Sequence, residues 1–66
     1  MEFKVVMALT LGDGFYSVLG EIWKLVENDL EKTKVELECT FGLNVGMVVE
    51  VARLNVAECF EVVPQN

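Results

Sequence analysis

The chain has 66 residues, 53% of them hydrophobic, and its eleven acidic and five basic residues give a net charge of −6. This length predicts a single domain over residues 1–66. The scarcity of Lys and Arg argues against a nucleic-acid partner, since binding without sequence preference needs basic side chains opposite the phosphates. No apolar run approaches the roughly 18 residues of a membrane helix, so we expect no membrane partner.

The sequence contains two cysteines, Cys39 and Cys59, and no histidine. The lack of histidine removes the commonest general base and metal ligand. Two cysteines alone do not complete a structural zinc site, which takes about four protein ligands. We therefore expect no metal and no cofactor, and we favour a protein without catalysis of its own. The start of the chain lacks the features of a secretory signal, so we expect reduced thiols and a cytoplasmic location.

The first predicted element is a strand over residues 3–9, "FKVVMAL". It is apolar on both faces, which is typical of a strand covered on both sides in a parallel sheet. The loop "TLGDG" follows over residues 10–14, and Asp13 is placed to cap the N-terminus of the next helix.

An amphipathic helix is predicted over residues 15–32. Gly20 inside it costs roughly 1 kcal/mol relative to alanine, and Trp23 and Leu25 lie beside the apolar stripe rather than within it. The stripe has the three- and four-residue spacing of one helix face: Phe15, Val18, Leu19, Ile22, Val26 and Leu30.

A second strand is predicted over residues 34–41, "KVELECTF". Its apolar positions alternate with glutamate and threonine, which suits an edge strand with one face in water. Residues 45–55 allow two interpretations. Gly46, Glu50 and Arg53 share one face of a helix, whereas the valines favour a second strand that closes a hairpin at "GLN". We favour the helix, followed by a third strand over residues 56–63.

Strands that alternate with helices predict an α/β fold: a three-layer βαβαβ unit with a parallel sheet in the order 2-1-3. The alternative is an α+β fold with a βαβββ arrangement that contains the hairpin. The apolar composition exceeds what so small a unit can bury, so we expect a homo-oligomer or a complex with a larger protein.

In an open α/β sheet, ligands bind beyond the carboxyl ends of the strands, where helix N-termini attract anions. The two loops predicted at that edge are residues 10–14 and 40–44. They supply the candidate ligand-binding residues for a small anion or nucleotide: Gly12, Asp13, Gly14, Gly42 and Asn44.

Three segments together resemble the DsrE/DsrF-like sulfur-relay family: "EFKVVMAL", "WKLVENDLEKTKVELECTFGLNV" and "VAECFEVVPQN". The resemblance implies a parallel α/β subunit that assembles into dimers, trimers or hexamers. In the catalytic members a cysteine carries a persulfide, and Cys59 matches that position. The chain is much shorter than the usual member. A buried structural role is the competing interpretation for both Cys39 and Cys59.

Two functional hypotheses follow from these observations. The first is a small cytoplasmic interaction or assembly protein without catalysis, which acts through an apolar surface. The alternative is a sulfur-transfer subunit that uses Cys59 as the persulfide carrier.

Overall fold

The computed structural model describes residues 1–65, and in this range it contains seven strands and one short helix. Five strands form one sheet in the order β6-β5-β4-β1-β7, and β2 and β3 form a separate hairpin. Every pairing is antiparallel. The elements are β1 (Glu2–Val5), β2 (Thr10–Gly12), β3 (Phe15–Tyr16), β4 (Ile22–Glu27), β5 (Lys34–Phe41), β6 (Val48–Ala52), α1 (Arg53–Cys59) and β7 (Phe60–Val62).

The predicted α/β fold, with a parallel sheet in the order 2-1-3, is therefore wrong. Parallel neighbours need crossover connections of a dozen or more residues, whereas here short turns over residues 28–33 and 42–47 join β4 to β5 and β5 to β6. The α+β alternative is wrong in its helix over residues 15–32, which is not formed, but the hairpin that it contained is present as β5 and β6. The predicted strand over residues 34–41 has the bounds of β5, but β5 lies between β4 and β6 rather than at an edge.

The segment predicted as the first helix forms β3, a loop and β4. Gly20 has φ +87°, a left-handed conformation that interrupts a helix and that residues other than glycine rarely adopt. Beyond it, burial alternates with period two: Trp23 is fully buried and Leu25 half-buried, while Lys24 and Val26 are exposed. Trp23 and Leu25, which did not fit the helical stripe, thus define the inward face of a strand.

The segment predicted as the second helix contains the end of the β5–β6 turn, the strand β6 and only the first residues of α1. β5 and β6 form a hairpin, with Val35 opposite Val51 and Leu37 opposite Val49. A helix begins only at Arg53 and ends at Cys59, so the predicted third strand is reduced to β7. The first strand is likewise shorter than expected, since β1 ends at Val5.

The core lies on one face of the five-stranded sheet. Leu9, Leu11 of β2 and Val56 of α1 pack against it. The rings of Phe3 and Phe60 meet edge to face, with their centroids 6.3 Å apart. The buried apolar residues of the core are Phe3, Val5, Trp23, Val35, Leu37, Cys39, Val51, Cys59 and Phe60.

The opposite face of the sheet carries mainly charged side chains. Glu36 lies opposite Glu50, and Lys24 pairs with Glu38 at 3.9 Å between nitrogen and oxygen. An apolar and a charged face are typical of an antiparallel sheet that is covered on one side only. Within residues 1–65, no helix has the length and apolar character needed to cross a membrane.

Candidate functional site: the loop end around Glu21

Two segments meet at one end of the sheet, residues 15–21 before β4 and residues 40–47 between β5 and β6. We call them together the loop end. Glu21 is the only charged residue in these two segments, although the chain contains eleven acids and five bases. Ile22 at the start of β4 pairs with Phe41 at the end of β5, which brings the two segments side by side.

The carboxylate of Glu21 holds the loop end together. Its side chain is 1% exposed. Oε1 accepts hydrogen bonds from the Val18 N–H at 2.8 Å and from Trp23 Nε1 at 3.2 Å. The Asn44 N–H donates to Oε2 at 2.8 Å, and Asn44 Nδ2 donates to Oε1 at 3.1 Å. One buried carboxylate therefore connects both segments to the core through four donors.

These donors explain why Glu21 is buried as an anion. Burial acts to raise the pKa of its carboxyl, because a charged group loses its hydration. The hydrogen bonds from Val18, Asn44 and Trp23 oppose this effect and outweigh it, so the pKa lies below its ordinary value. Glu21 is thus ionised at neutral pH and fully satisfied by hydrogen bonds, as a buried polar group must be.

Gly42 and Asn44 both contact the Glu21 side chain, and each helps to fix the loop between β5 and β6. Gly42 has φ +123°, and a Cβ atom built on it would overlap the Glu21 side chain. The Asn44 amide also donates to the Tyr16 carbonyl at 2.9 Å, so it joins β3 to the β5–β6 loop. The backbone of residues 42–44 is therefore fixed by contacts directed inward.

Apart from Thr40, the exposed side chains of the loop end are large and apolar. Five of them are between 59% and 85% exposed, and neither segment of the loop end contains an exposed charged residue. The combination of a fixed backbone and exposed, large apolar groups is typical of a contact surface rather than of a reaction centre. The five are Tyr16, Leu19, Phe41, Leu43 and Val45.

The candidate ligand-binding residues are divided between two places. Gly42 and Asn44 lie against Glu21, while Gly12, Asp13 and Gly14 form the end of β2 and the turn into β3. The premise of that prediction is wrong at both loops, since neither leads into a helix and Asp13 lies in a hairpin turn. The donors of Asn44 already bind Glu21 and Tyr16, so the anion at this loop is the protein's own carboxylate.

Both cysteines lie in the core and are unpaired. Cys39 is 1% exposed and Cys59, the last residue of α1, is 5% exposed. Burial raises the pKa of the Cys39 thiol, and the negative charge of Glu21 raises it further. The assignment of Cys59 as a persulfide carrier remains a prediction, and the buried position offers little access to a sulfur acceptor.

Sequence reasoning did not identify Glu21, which lies within the segment predicted as the first helix and outside its apolar stripe. A signal for it was present, because Glu21 stands alone in a long stretch without other charges, from Gly14 to Trp23. A single acid in such a stretch is either exposed by a turn or buried with partners. Its donors are backbone groups and distant residues, which only the tertiary structure reveals.

Comparison of the chain with protein-family models, curated proteins and solved structures gives no match. Membership of the DsrE/DsrF-like family therefore remains a prediction, and the parallel α/β subunit that it implied is not the fold of this chain. Across residues 1–65, no group of three or more Cys, Asp or Glu side chains is arranged to hold a metal ion.

Proposed function

We propose that the protein is a small non-catalytic interaction and assembly subunit, and that its loop end binds a second copy of the chain. The observation that carries this proposal is the exposure of Tyr16, Leu19, Phe41, Leu43 and Val45 on segments fixed by buried Glu21. A contact surface that is already ordered loses little conformational entropy on binding.

The distribution of charge supports a second copy as the partner. A two-fold dimer brings the same patch of each subunit together. Any exposed acidic side chain in the patch would therefore lie near acidic side chains of the partner and be repelled by them. Most of this acidic chain would suffer that repulsion, but the loop end has no exposed charge. Depletion of charge at the centre is also the compositional signal of protein interfaces.

The exposed area is of the size that such an interface needs. With full side-chain areas of about 150–250 Å² for the larger groups, the five side chains present on the order of 600 Å². The largest apolar patch on a monomer is about 300–600 Å², and a standard interface contributes about 800 Å² per partner. The loop end with its rim is therefore large enough to form a dimer.

A matched pair of leucine substitutions tests the proposal. Leu43 is 85% exposed in the loop end, and Leu30 is 82% exposed in the β4–β5 turn at the other end of β4. We expect Leu43→Glu to weaken self-association at least about 100-fold, because it buries an unpaired charge at the interface. Leu30→Glu should associate like the wild type. Sedimentation equilibrium from micromolar to millimolar protein measures both.

Two results would contradict the proposal. A wild-type chain that stays monomeric over the whole concentration range has no self-association to explain. Equal weakening by Leu43→Glu and Leu30→Glu would mean that general charge repulsion, rather than the loop end, controls association. Circular dichroism of each variant confirms that the fold is intact before association is compared.

We also propose a cytoplasmic location, supported by the two unpaired, buried thiols Cys39 and Cys59. Unpaired cysteines are the rule in reducing compartments. The alternative function, sulfur transfer through Cys59, gains no support from the position of this thiol and depends on the alkylation test described below.

A further inference from the structure

A second feature lies at the far end of β4 from the loop end, between α1 and the core face of the sheet. It is an open cavity of about 270 Å³. Its wall is mainly apolar; Arg53 and Asn28 are its residues with polar side chains, and Met1 lies at it as well. No acidic residue lines it, in a chain with eleven acids. The apolar wall includes Phe3, Leu25, Val35 and Val56.

Arg53 is held in place at this cavity by two backbone carbonyls. Its Nε donates to the Lys32 carbonyl at 2.9 Å, and its Nη2 donates to the Asp29 carbonyl at 2.7 Å. In residues 1–65 the only ion pair is Lys24–Glu38, so the positive charge of Arg53 has no carboxylate partner there. No hydrogen bond within this range uses Nη1 of Arg53. The guanidinium is thus preorganised, partly buried and still able to bind an anion.

We propose that this cavity binds a small apolar carboxylate, with the hydrocarbon part against Phe3, Leu25 and Val56 and the carboxylate on Arg53. A monoanion fits the single guanidinium, whereas a dianion such as a phosphate monoester would leave charge unpaired beside an acidic protein. Asn28, which also lines the cavity, can supply a second hydrogen-bond donor.

The volume of the cavity limits the size of the ligand. A cavity of about 150 Å³ holds benzene, and drug-sized ligands occupy about 300–1,000 Å³. A volume near 270 Å³ therefore accommodates one ring, or a short alkyl chain, together with its head group. The carboxylate can belong to a free acid or to the C-terminus of a peptide with an apolar last residue.

Phenylacetate and phenylacetamide test the charge requirement, because they share shape and differ in charge. Titrations followed by NMR should shift the backbone amide signals of residues around Val56 and Leu25. We expect phenylacetate to bind at least about tenfold more tightly than phenylacetamide, since hydrogen bonds to charged groups are the stronger ones. Arg53→Gln should remove this difference, while Lys4→Gln on the charged face of the sheet should preserve it.

A second pair of variants tests the location without altering charge. Val56→Phe fills the cavity from α1 and should weaken phenylacetate binding at least about tenfold. Leu54→Phe adds the same ring to an exposed position of the same helix that does not line the cavity, and it should bind like the wild type. This pair remains informative if Arg53→Gln fails to fold.

A peptide that ends in phenylalanine, compared with its C-terminal amide, distinguishes the two sources of the carboxylate. Tighter binding of the peptide acid than of phenylacetate identifies a chain end, and the reverse identifies a small acid. The proposal is overturned if neither acid shifts these signals at about 10 mM, or if phenylacetamide binds as well as phenylacetate. Leu43→Glu should leave this binding unchanged, so a failure here is distinct from a failure of dimerisation.

Discussion

The most direct test of the buried anchor is Glu21→Gln, which keeps the shape of the side chain and removes its charge. Three N–H groups now donate to Oε1 and one to Oε2. Whichever way the new amide is oriented, its NH₂ group faces at least one of the donors that now bind a carboxylate oxygen. The variant therefore leaves buried donors facing each other without an acceptor.

The expected loss is large relative to the stability of so small a domain. Each unsatisfied buried donor costs about 1–3 kcal/mol, and a charge-assisted bond is lost besides, so we expect a decrease of about 2–5 kcal/mol in the free energy of unfolding. At about 0.05–0.15 kcal/mol per residue, the whole domain has roughly 3–10 kcal/mol. Glu21→Gln should thus remove about half of the stability.

Urea unfolding followed by tryptophan fluorescence measures this loss. Trp23 is the only tryptophan and is fully buried, and its Nε1 donates to Glu21, so it reports directly on the anchor. Glu38→Gln on the charged face is the matched control. It should change stability by less than about 0.5 kcal/mol, because surface ion pairs contribute little. Asn44→Ala should fall between the two, since the backbone donor of Asn44 remains.

A Glu21→Gln variant within about 0.5 kcal/mol of the wild type would refute this reasoning. That result would mean that the loop end is held by its backbone and apolar contacts, and that the carboxylate is incidental. It would also remove the argument that the exposed side chains are displayed on a fixed frame. A decrease equal to that of Glu38→Gln would have the same meaning.

Three further predictions concern the same region and the core thiols. The pKa of Glu21 is lower in the folded than in the unfolded state. The stabilisation by its carboxylate is therefore complete above the unfolded-state pKa and is lost as the pH falls through the folded-state pKa. Below about pH 4, the free energy of unfolding measured with urea should fall more steeply with pH for the wild type than for Glu21→Gln. Gly42→Ala should reduce the free energy of unfolding by about 1–3 kcal/mol more than Gly46→Ala. Both glycines have positive φ, but only at Gly42 would a Cβ atom overlap Glu21. Equal decreases in the two variants would contradict this overlap. In the folded protein, Cys39 and Cys59 should react with iodoacetamide at least about 100-fold more slowly than after unfolding, because buried thiols react only when the structure around them opens. If Cys59 instead reacted faster in the folded than in the unfolded protein, sulfur transfer would become the preferred function.

The strand β5 could be predicted from the sequence because its pattern is unambiguous. Apolar and polar residues alternate without exception from Val35 to Phe41, and period two has no helical equivalent. The segment over residues 15–32 was mistaken for a helix because six apolar residues happen to match a helical stripe. The residues that contradicted the stripe were Gly20, Trp23 and Leu25, and Trp23 is the largest fully buried side chain among the described residues.

The sheet topology was predicted wrongly because residues 15–32 were assigned to a helix. Without a helix between them, β4 and β5 are joined by a short turn, which permits only antiparallel pairing. The longer connection from β1 to β4 contains the β2–β3 hairpin, and these two strands also pair antiparallel. The choice between helix and hairpin for residues 45–55 was balanced in the sequence, since a helical face and a valine-rich strand were both present. Pairing with β5 decided it, and such pairing is a tertiary effect that local propensity does not contain.

The candidate site was less predictable than the strands. The sequence indicated Gly42 and Asn44 as candidate residues for binding an external anion in the loop over residues 40–44. The internal anion, Glu21, lies more than twenty positions earlier in the chain, and a hydrogen bond at that separation leaves no local pattern. Arg53 was assigned to a helix face, and its role beside a cavity depends on the carbonyls of Asp29 and Lys32.

The hydrogen bonds that fix residues 42–44 involve backbone atoms, one glycine and two inward-facing polar side chains. The side chains of Leu43 and Val45, which are exposed to solvent, contribute nothing to this framework. Their identities can therefore change without altering the conformation of the loop, because the residues that determine the shape differ from those that a partner would touch. Such a division lets recognition diverge rapidly between copies of a gene, and it makes these two positions suitable for a randomised library on an otherwise constant scaffold.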